Sequence, residues 1–144
     1  HTFNTAILKY TASLMPDHLP KYALGVGMPT DIVKCVNMGY SIFDTVIPTR
    51  DARHQRLYVF QKNPNTINLL KTPDAFESVR IKQKTYERDT QPISAFCDCC
   101  TCKHYSRSYL RHLFHIQDST AHRLATIHNL RTYSLLIESL RKTV

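Results

Sequence analysis

The sequence predicts an α/β fold in which a parallel sheet gives way to short antiparallel strands and a cysteine-rich metal-binding segment. Three observations predict it. Up to Pro48 the chain alternates between helical periodicity and short, wholly apolar runs, the pattern of parallel strands joined by helices. Residues 56–84 then break into short runs separated by Asn, Pro and Asp turns. Finally, FCDCCTC at 96–102 sets four cysteines, Cys97, Cys99, Cys100 and Cys102, within one tight stretch.

Taken in order, FNTAILKYTASL at 3–14 places Phe3, Ile7, Tyr10 and Leu14 on one helical face. MPDHLP ends that helix with two prolines. YALGVG at 22–27 reads as a buried strand closing on glycine. PTDIVKCVNMG at 29–39 opens on a first-turn proline and stops at Gly39, which predicts a helix. SIFDTVIP at 41–48 reads as a second apolar strand ended by Pro48. Two parallel strands cannot bury both faces of a sheet by themselves, so the neighbouring strands are expected in a longer protein. The start at His1, inside a helical pattern, carries the same expectation.

Beyond the motif PTRDAR, the runs 56–61, 66–70 and 78–84 are expected as antiparallel strands. Asn63-Pro64-Asn65 and Thr72-Pro73-Asp74 mark the turns between them. YSRSYLRHLFHI at 105–116 predicts a helix. Asp118 or Ser119 can cap a last helix running to about 141, with Leu124, Ala125, Leu135, Leu136 and Leu140 in its apolar stripe. There is no internal repeat and no low-complexity tract.

The bulk properties narrow the function. A chain of 144 residues makes one domain of ordinary size. No apolar run approaches a membrane span. Residues 1–15 lack the basic start and apolar block of a signal peptide, so a cytoplasmic location is expected. The formal net charge is +8, and it is unevenly spread. Residues 1–48 hold three Lys/Arg against three Asp/Glu; residues 49–144 hold sixteen against eight. A basic half beside a neutral half points to a polyanion as partner of the second half.

Five cysteines are an odd number, and four of them stand too close to pair with one another without straining the backbone. In a chain without a secretory signal, a metal site is the better reading. Cys97, Cys99 and Cys102 form C-x-C-x-x-C, three thiolates for a tetrahedral zinc. Cys100 lies between them, and adjacent residues rarely ligate one ion. The fourth ligand is expected among His104, His112, His115, His122 and His128, and spacing does not choose. His128 shares the apolar stripe of the last helix and should face inward. Four protein ligands leave no open position for water, so such a site is structural. Cys35, on an apolar helix, reads as core.

The segments LPKYALGVG, FDTVIPTRDAR, CDCCTC and ATIHNLRTY, in that order, resemble the C-terminal part of the tRNA-guanine transglycosylase, or queuine tRNA-ribosyltransferase, family. The resemblance runs from about Thr11 to Arg141. It implies the C-terminal portion of a (β/α)8 barrel, with residues 1–53 as its last strands and helices. Residues 54–117 would be an inserted small β and zinc-binding subdomain, and 118–144 the closing barrel helix. YALGVG would be strand seven and IFDTVIP strand eight. The resemblance implies Cys97, Cys99, Cys102 and His128 as the ligands of one structural zinc. Cys100 takes a position that is commonly Tyr. It implies Asp44 as the nucleophile, at the C-terminal end of a barrel strand where such enzymes place their chemistry. Arg50 and Arg53 match arginines that grip the tRNA. Leu24, where the family often has Met, and Gly25 match the base pocket. Gly27, with Gly25, matches residues that let backbone approach the base.

The implied reaction exchanges the wobble guanine of a tRNA anticodon for a free 7-deazaguanine base, through a covalent Asp–ribose intermediate and two inversions. No ATP or redox cofactor is needed. Taken alone, Asp44 reads as a strand-end salt-bridge partner. The family's general base and base-reading groups lie upstream, so these 144 residues by themselves are expected to be inactive. The alternative is a non-catalytic, zinc-stabilised tRNA-binding or dimerisation module. A homodimer through the zinc subdomain is the expected assembly, with exposed apolar residues on the 105–116 helix favouring an interface and a uniformly basic face favouring RNA.

Overall fold

The computed structural model describes residues 3–72 and 75–143. In chain order it runs α1 (Thr5–Leu14), β1 (Lys21–Ala23), α2 (Pro29–Asn37), β2 (Tyr40–Phe43), α3 (Ile47–Arg53), β3 (Arg56–Phe60), β4 (Phe76–Arg80), α4 (Cys100–His104), α5 (Arg107–His115) and α6 (Ser119–Arg141). The result is a mixed α/β chain, and among the described residues no barrel closes.

Local chemistry explains the first half. The Asn4 side chain accepts from the Ile7 N–H and starts α1. Pro29 occupies the first turn of α2, and Gly39, at φ 90°, takes the left-handed position that stops it. β1 and β2 pair in parallel, Lys21 beside Tyr40 and Ala23 beside Phe43, with α2 as the crossover. Lys21 is buried, its ammonium donating to the Ala12 carbonyl at 2.9 Å and to Asp17 at 2.8 Å.

Burial departs from expectation here. The sheet is covered on one face only, by Ala12, Cys35 and their neighbours around Ala23 and Tyr40; Tyr22 and Ile42 on the other face are each 46% exposed. The α1 stripe is likewise open: Ile7, Tyr10 and Leu14 are exposed, while Ala12 and Leu8 pack. Apolar periodicity identifies a face that wants cover. The layer that would supply it is not among the described residues.

The expected 41–48 strand stops at Phe43, and Ile47–Arg53 folds as a helix instead. Thr45 Oγ1 accepts from the Ile47 N–H, and Pro48 sits in the first turn, so proline opens α3 as much as it ends the strand. β3 and β4 pair antiparallel from Arg56/Arg80 to Phe60/Phe76. The expected 66–70 strand is a correction: the Asn68 side chain takes the Leu70 N–H and starts a 3-10 turn, Leu69–Lys71. Of the turn expected at 72–74, Pro73 and Asp74 lie outside the described residues. The run 78–84 leaves the ladder at Arg80 and ends in a 3-10 turn, Lys84–Tyr86. The expected 105–116 helix forms as α5. α4 precedes it, and Ser106 caps α5 by accepting from the Tyr109 N–H.

α6 ties the molecule together. Asp118 caps it, and Leu124, Ala125, Leu135, Leu136 and Leu140 are buried along its length. Polar His128, Asn129 and Thr132 are also buried mid-helix, and each is satisfied by β3 or its neighbours. Asn129 Oδ1 accepts the Tyr58 N–H at 3.0 Å; its Nδ2 donates to the Pro48 carbonyl at 2.9 Å and the Arg56 carbonyl at 3.0 Å. One side chain thus joins α6 to both α3 and β3.

Candidate functional site

Two sites stand on this frame. The first is the cysteine segment. Cys97 and Cys99 lie on the loop entering α4, Cys102 is inside α4, and His128 comes from the middle of α6. Their ligand atoms all lie within 4.8 Å of one another. The Cys99 sulfur accepts the Cys102 N–H at 3.3 Å, which caps α4 and bends the loop round a common centre. Thr101 Oγ1 donates to the Leu124 carbonyl at 2.8 Å and clamps α4 to α6. Arg131 grips both oxygens of Asp98, at 2.6 and 3.0 Å, and holds the loop from outside.

His128 is fully buried, and its Nε2 lies 2.9 Å from the Tyr58 carbonyl. A carbonyl only accepts, so this partner assigns the proton to Nε2 and leaves the Nδ1 lone pair facing the thiols. Nδ1 stands 3.2 Å from the Cys102 sulfur and 3.8 Å from that of Cys99. A tetrahedral zinc with ordinary bond lengths sets a sulfur and a nitrogen about 3.6 Å apart. Three sulfurs and one imidazole at this spacing, two cysteines buried and the carbonyl orienting the ring, are compatible with a structural zinc site. Cys100 is exposed and turned away; His104, His112, His115 and His122 are exposed and outside the cluster. Cys35 is wholly buried, and burial pushes its thiol up to about 11, as a core residue requires.

The three thiols are electrostatically unequal. Hydrogen bonds from Cys102 and Cys97 draw Cys99 toward the thiolate, against its burial. Cys102 is pushed up by its bonds to Cys97 and Cys99 and by burial. At Cys97 the bond with Cys102 works downward, but the bond with Cys99 and burial outweigh it, leaving the thiol at about 11.

The second site is the open end of the parallel pair. Asp44 follows β2 directly, is exposed, and accepts the Gly25 N–H at 2.8 Å. Gly25 has φ 70°, a left-handed conformation that turns its amide toward the carboxylate. Tyr22, on the open face of β1, has its phenol raised by partial burial and then by the nearby Asp44 carboxylate. A cleft of about 830 Å³ opens here, lined by Leu24, Gly25, Asp44, Val46 and Arg50 among others. Leu24 is 76% exposed, an apolar side chain with nothing yet against it. A Cβ on Gly27 would stand 1.8 Å from Thr45 Oγ1, so this position admits only glycine; the Gly27 carbonyl in turn accepts from the Tyr133 hydroxyl at 2.7 Å. Arg50 and Arg53 are both exposed on α3.

The residues singled out in the sequence therefore fall into two groups, joined by the buried polar contacts of α6. Sequence reasoning missed Asn129, Tyr58, Asp51 and Arg131. A polar residue beside His128 on an apolar stripe was the available signal for Asn129. Among the described residues, no helix is long and apolar enough to cross a membrane.

Comparison with known proteins identifies the family. Residues 3–144 match the family model described as queuine tRNA-ribosyltransferase. The chain is 40% identical over 138 residues to the queuine tRNA-ribosyltransferase of Dictyoglomus turgidum, 41% to that of Vibrio vulnificus and 44% to that of Vibrio campbellii. Each alignment covers 96% of this chain and 32% of the relative. The chain thus spans about a third of the length of the curated relatives it matches.

Proposed function

Since this chain belongs to the queuine tRNA-ribosyltransferase family, we propose that the protein containing it exchanges the wobble guanine of a tRNA for a 7-deazaguanine base, with Asp44 as nucleophile. The observation that carries this reading is an exposed carboxylate at the end of a parallel strand. A backbone N–H fixes its orientation, in a cleft that also holds an apolar side chain and a half-exposed arginine.

The chemistry follows from that placement. An oxygen of Asp44 attacks ribose C1′ while the C1′–N9 bond of guanine breaks, and the electron pair leaves with the base. Protonation of the departing guanine, and later removal of the proton from the incoming base, call for an acid–base group. Asp31 is the other carboxylate lining the cleft among the described residues, and it is paired with Lys34 at 3.3 Å. That group is therefore assigned to the rest of the protein. The incoming base then attacks C1′ and displaces the carboxylate, so two inversions retain the sugar configuration. Leu24 supplies an apolar wall for the base. Arg50 and Arg53 supply cations for the phosphates beside a nucleotide splayed out of the anticodon loop. Cys97, Cys99, Cys102 and His128 would hold a zinc that braces this frame and takes no part in the reaction.

Residues 1–53 are proposed as the end of a (β/α)8 barrel, 54–117 as the inserted zinc subdomain and 118–144 as the closing helix. The open face of the β1–β2 pair and the uncovered stripe of α1 support a barrel completed by strands outside this chain. Asp44→Ala in the full-length protein should abolish base exchange, by three orders of magnitude or more, with zinc content and tRNA binding retained. Residues 1–144 expressed alone should show no exchange. Exchange surviving the substitution, or appearing in the isolated residues, contradicts the reading.

A surface observation favours self-association as well. Tyr105 and Tyr109 stack at 5.3 Å between centroids on the α4–α5 surface, with Tyr109 and Ile116 exposed. Exposed apolar area on α5 supports a contact between two copies over an all-basic RNA face. Sedimentation of the full-length protein should show a dimer that Tyr109→Ala weakens; an unchanged dimer rejects this surface.

A further inference from the structure

We propose that Asp51 and Tyr58 are positioning residues that hold Arg50 ready for a phosphodiester of the bound RNA strand. The inference rests on the role proposed above for Arg50 and adds the device that aims it. Asp51 is a carboxylate at 5% exposure, next in sequence to an arginine that is half exposed. Neighbouring residues on a helix do not face each other, yet Arg50 Nε donates to Asp51 Oδ1 at 3.1 Å. The guanidinium is therefore folded sideways across α3 and fixed at its inner nitrogen. Its two terminal nitrogens make no hydrogen bond among the described residues, and the side chain lines the Asp44 cleft. A fork with its stem tied and its tines free matches the geometry of a phosphate.

Asp51 is itself held from behind. The Tyr58 hydroxyl donates to Asp51 Oδ2 at 2.6 Å, and Arg56 lies 3.6 Å away. Tyr58 cannot shift, because α6 fixes its backbone on both sides. Its N–H donates to Asn129, and its carbonyl accepts from His128 Nε2 and from Thr132 at 3.2 Å. The contacts run unbroken from the cysteine cluster through His128, Tyr58 and Asp51 to Arg50. This gives the buried acid a use. A carboxylate beside an RNA site should by itself repel the strand. Its presence is accounted for if it pays the ordering entropy of Arg50 in advance.

The test compares tRNA binding and exchange by the full-length protein and its Asp51→Ala, Asp51→Asn, Arg50→Gln and double variants, zinc content being checked in each. Asp51→Ala should weaken tRNA binding about two- to tenfold, the affinity lost when one long side chain must be ordered on binding. KM for tRNA should rise with kcat at saturation unchanged. Asp51→Asn should restore most of the affinity, since its amide oxygen can still accept from Arg50 while its amino group donates to Tyr58. In the Arg50→Gln background Asp51→Ala should weaken binding no further. Equal or tighter binding by Asp51→Ala overturns the inference, because that is the effect of deleting a negative charge near RNA. An equal further loss in the Arg50→Gln background also overturns it, because Asp51 then acts on the fold alone. If Asp51→Ala does not fold, Tyr58→Phe replaces it, with a smaller loss expected in the same direction and none in the Arg50→Gln background. If Arg50→Gln itself leaves tRNA binding unchanged, the proposed role of Arg50 fails and this inference with it. If Arg50→Gln weakens binding and Asp51→Ala does not, only the positioning role fails.

Discussion

Gly27 shows how closely single residues are specified. Any β-carbon there meets Thr45 Oγ1 at 1.8 Å and Thr45 Cβ at 2.5 Å, so the loop after β1 and the turn after Asp44 must separate to admit one. Gly27→Ala should cost about 1–3 kcal/mol, the usual range for overpacking, and should displace Asp44 from Gly25. Thermal unfolding and exchange activity of the full-length protein check this; a variant with unchanged melting and unchanged activity contradicts it. His128 illustrates what single residues conceal. Five histidines follow the cysteines, and the one that completes the cluster is 26 positions from Cys102. Proximity along the chain therefore gave no guidance. Its inward-facing place on the α6 stripe was legible; its partnership with the thiols was implied only by the family resemblance, and the packing of α4 on α6 brings its ring to them. Asp51 was invisible for a related reason, since an acid between two arginines in TRDAR reads as surface until its burial is known.

At the scale of elements, the helix starts and stops were read well where one residue gives one signal. Asp118, Pro29 and Gly39 each do what their chemistry requires. Reading failed where one residue carries two signals. Pro48 ends a strand and also opens α3, and the second use was missed. In TINLL the β-branched and apolar residues fit a strand, but the Asn68 side chain offers the backbone a local turn instead. The α4 loop makes a testable element. Its Cys99 is drawn toward the thiolate by its neighbours, while burial and the same neighbours push Cys97 and Cys102 the other way. Zinc uptake at pH 7 should therefore release protons from the thiols. Zinc retention should fall as the pH falls and protons compete for the sulfurs. Chelation should loosen α4 from α6 and lower the melting temperature. Calorimetry in buffers of different ionisation enthalpy counts the protons; release of none, or melting indifferent to chelator, contradicts the account.

At the scale of the whole molecule, the parallel pairing of β1 and β2 was legible and the cover of the sheet was not. The apolar pattern on α1, β1 and β2 is that of a sheet buried on both faces, yet Ile7, Tyr10, Tyr22, Leu24, Ile42 and Val46 are all exposed. These are faces that the strands of the proposed barrel would cover, and this chain matches a third of its relatives' length. The two sites are consequently unequal. The cysteine cluster gathers four side chains that could hold a metal ion from these residues alone. The Asp44 cleft has a carboxylate, proposed as the nucleophile, an anchoring amide and an arginine proposed to bind phosphate, and is open where the strands of the proposed barrel would close it. The account stands or falls on Asp44. Its most direct test is to trap the full-length protein with tRNA, denature and digest the complex, and locate the modified peptide by mass spectrometry. The account predicts a ribose-linked RNA fragment on Asp44, discharged when the incoming base is added. A fragment on another residue, or exchange that proceeds with no covalent RNA on the protein, would contradict it.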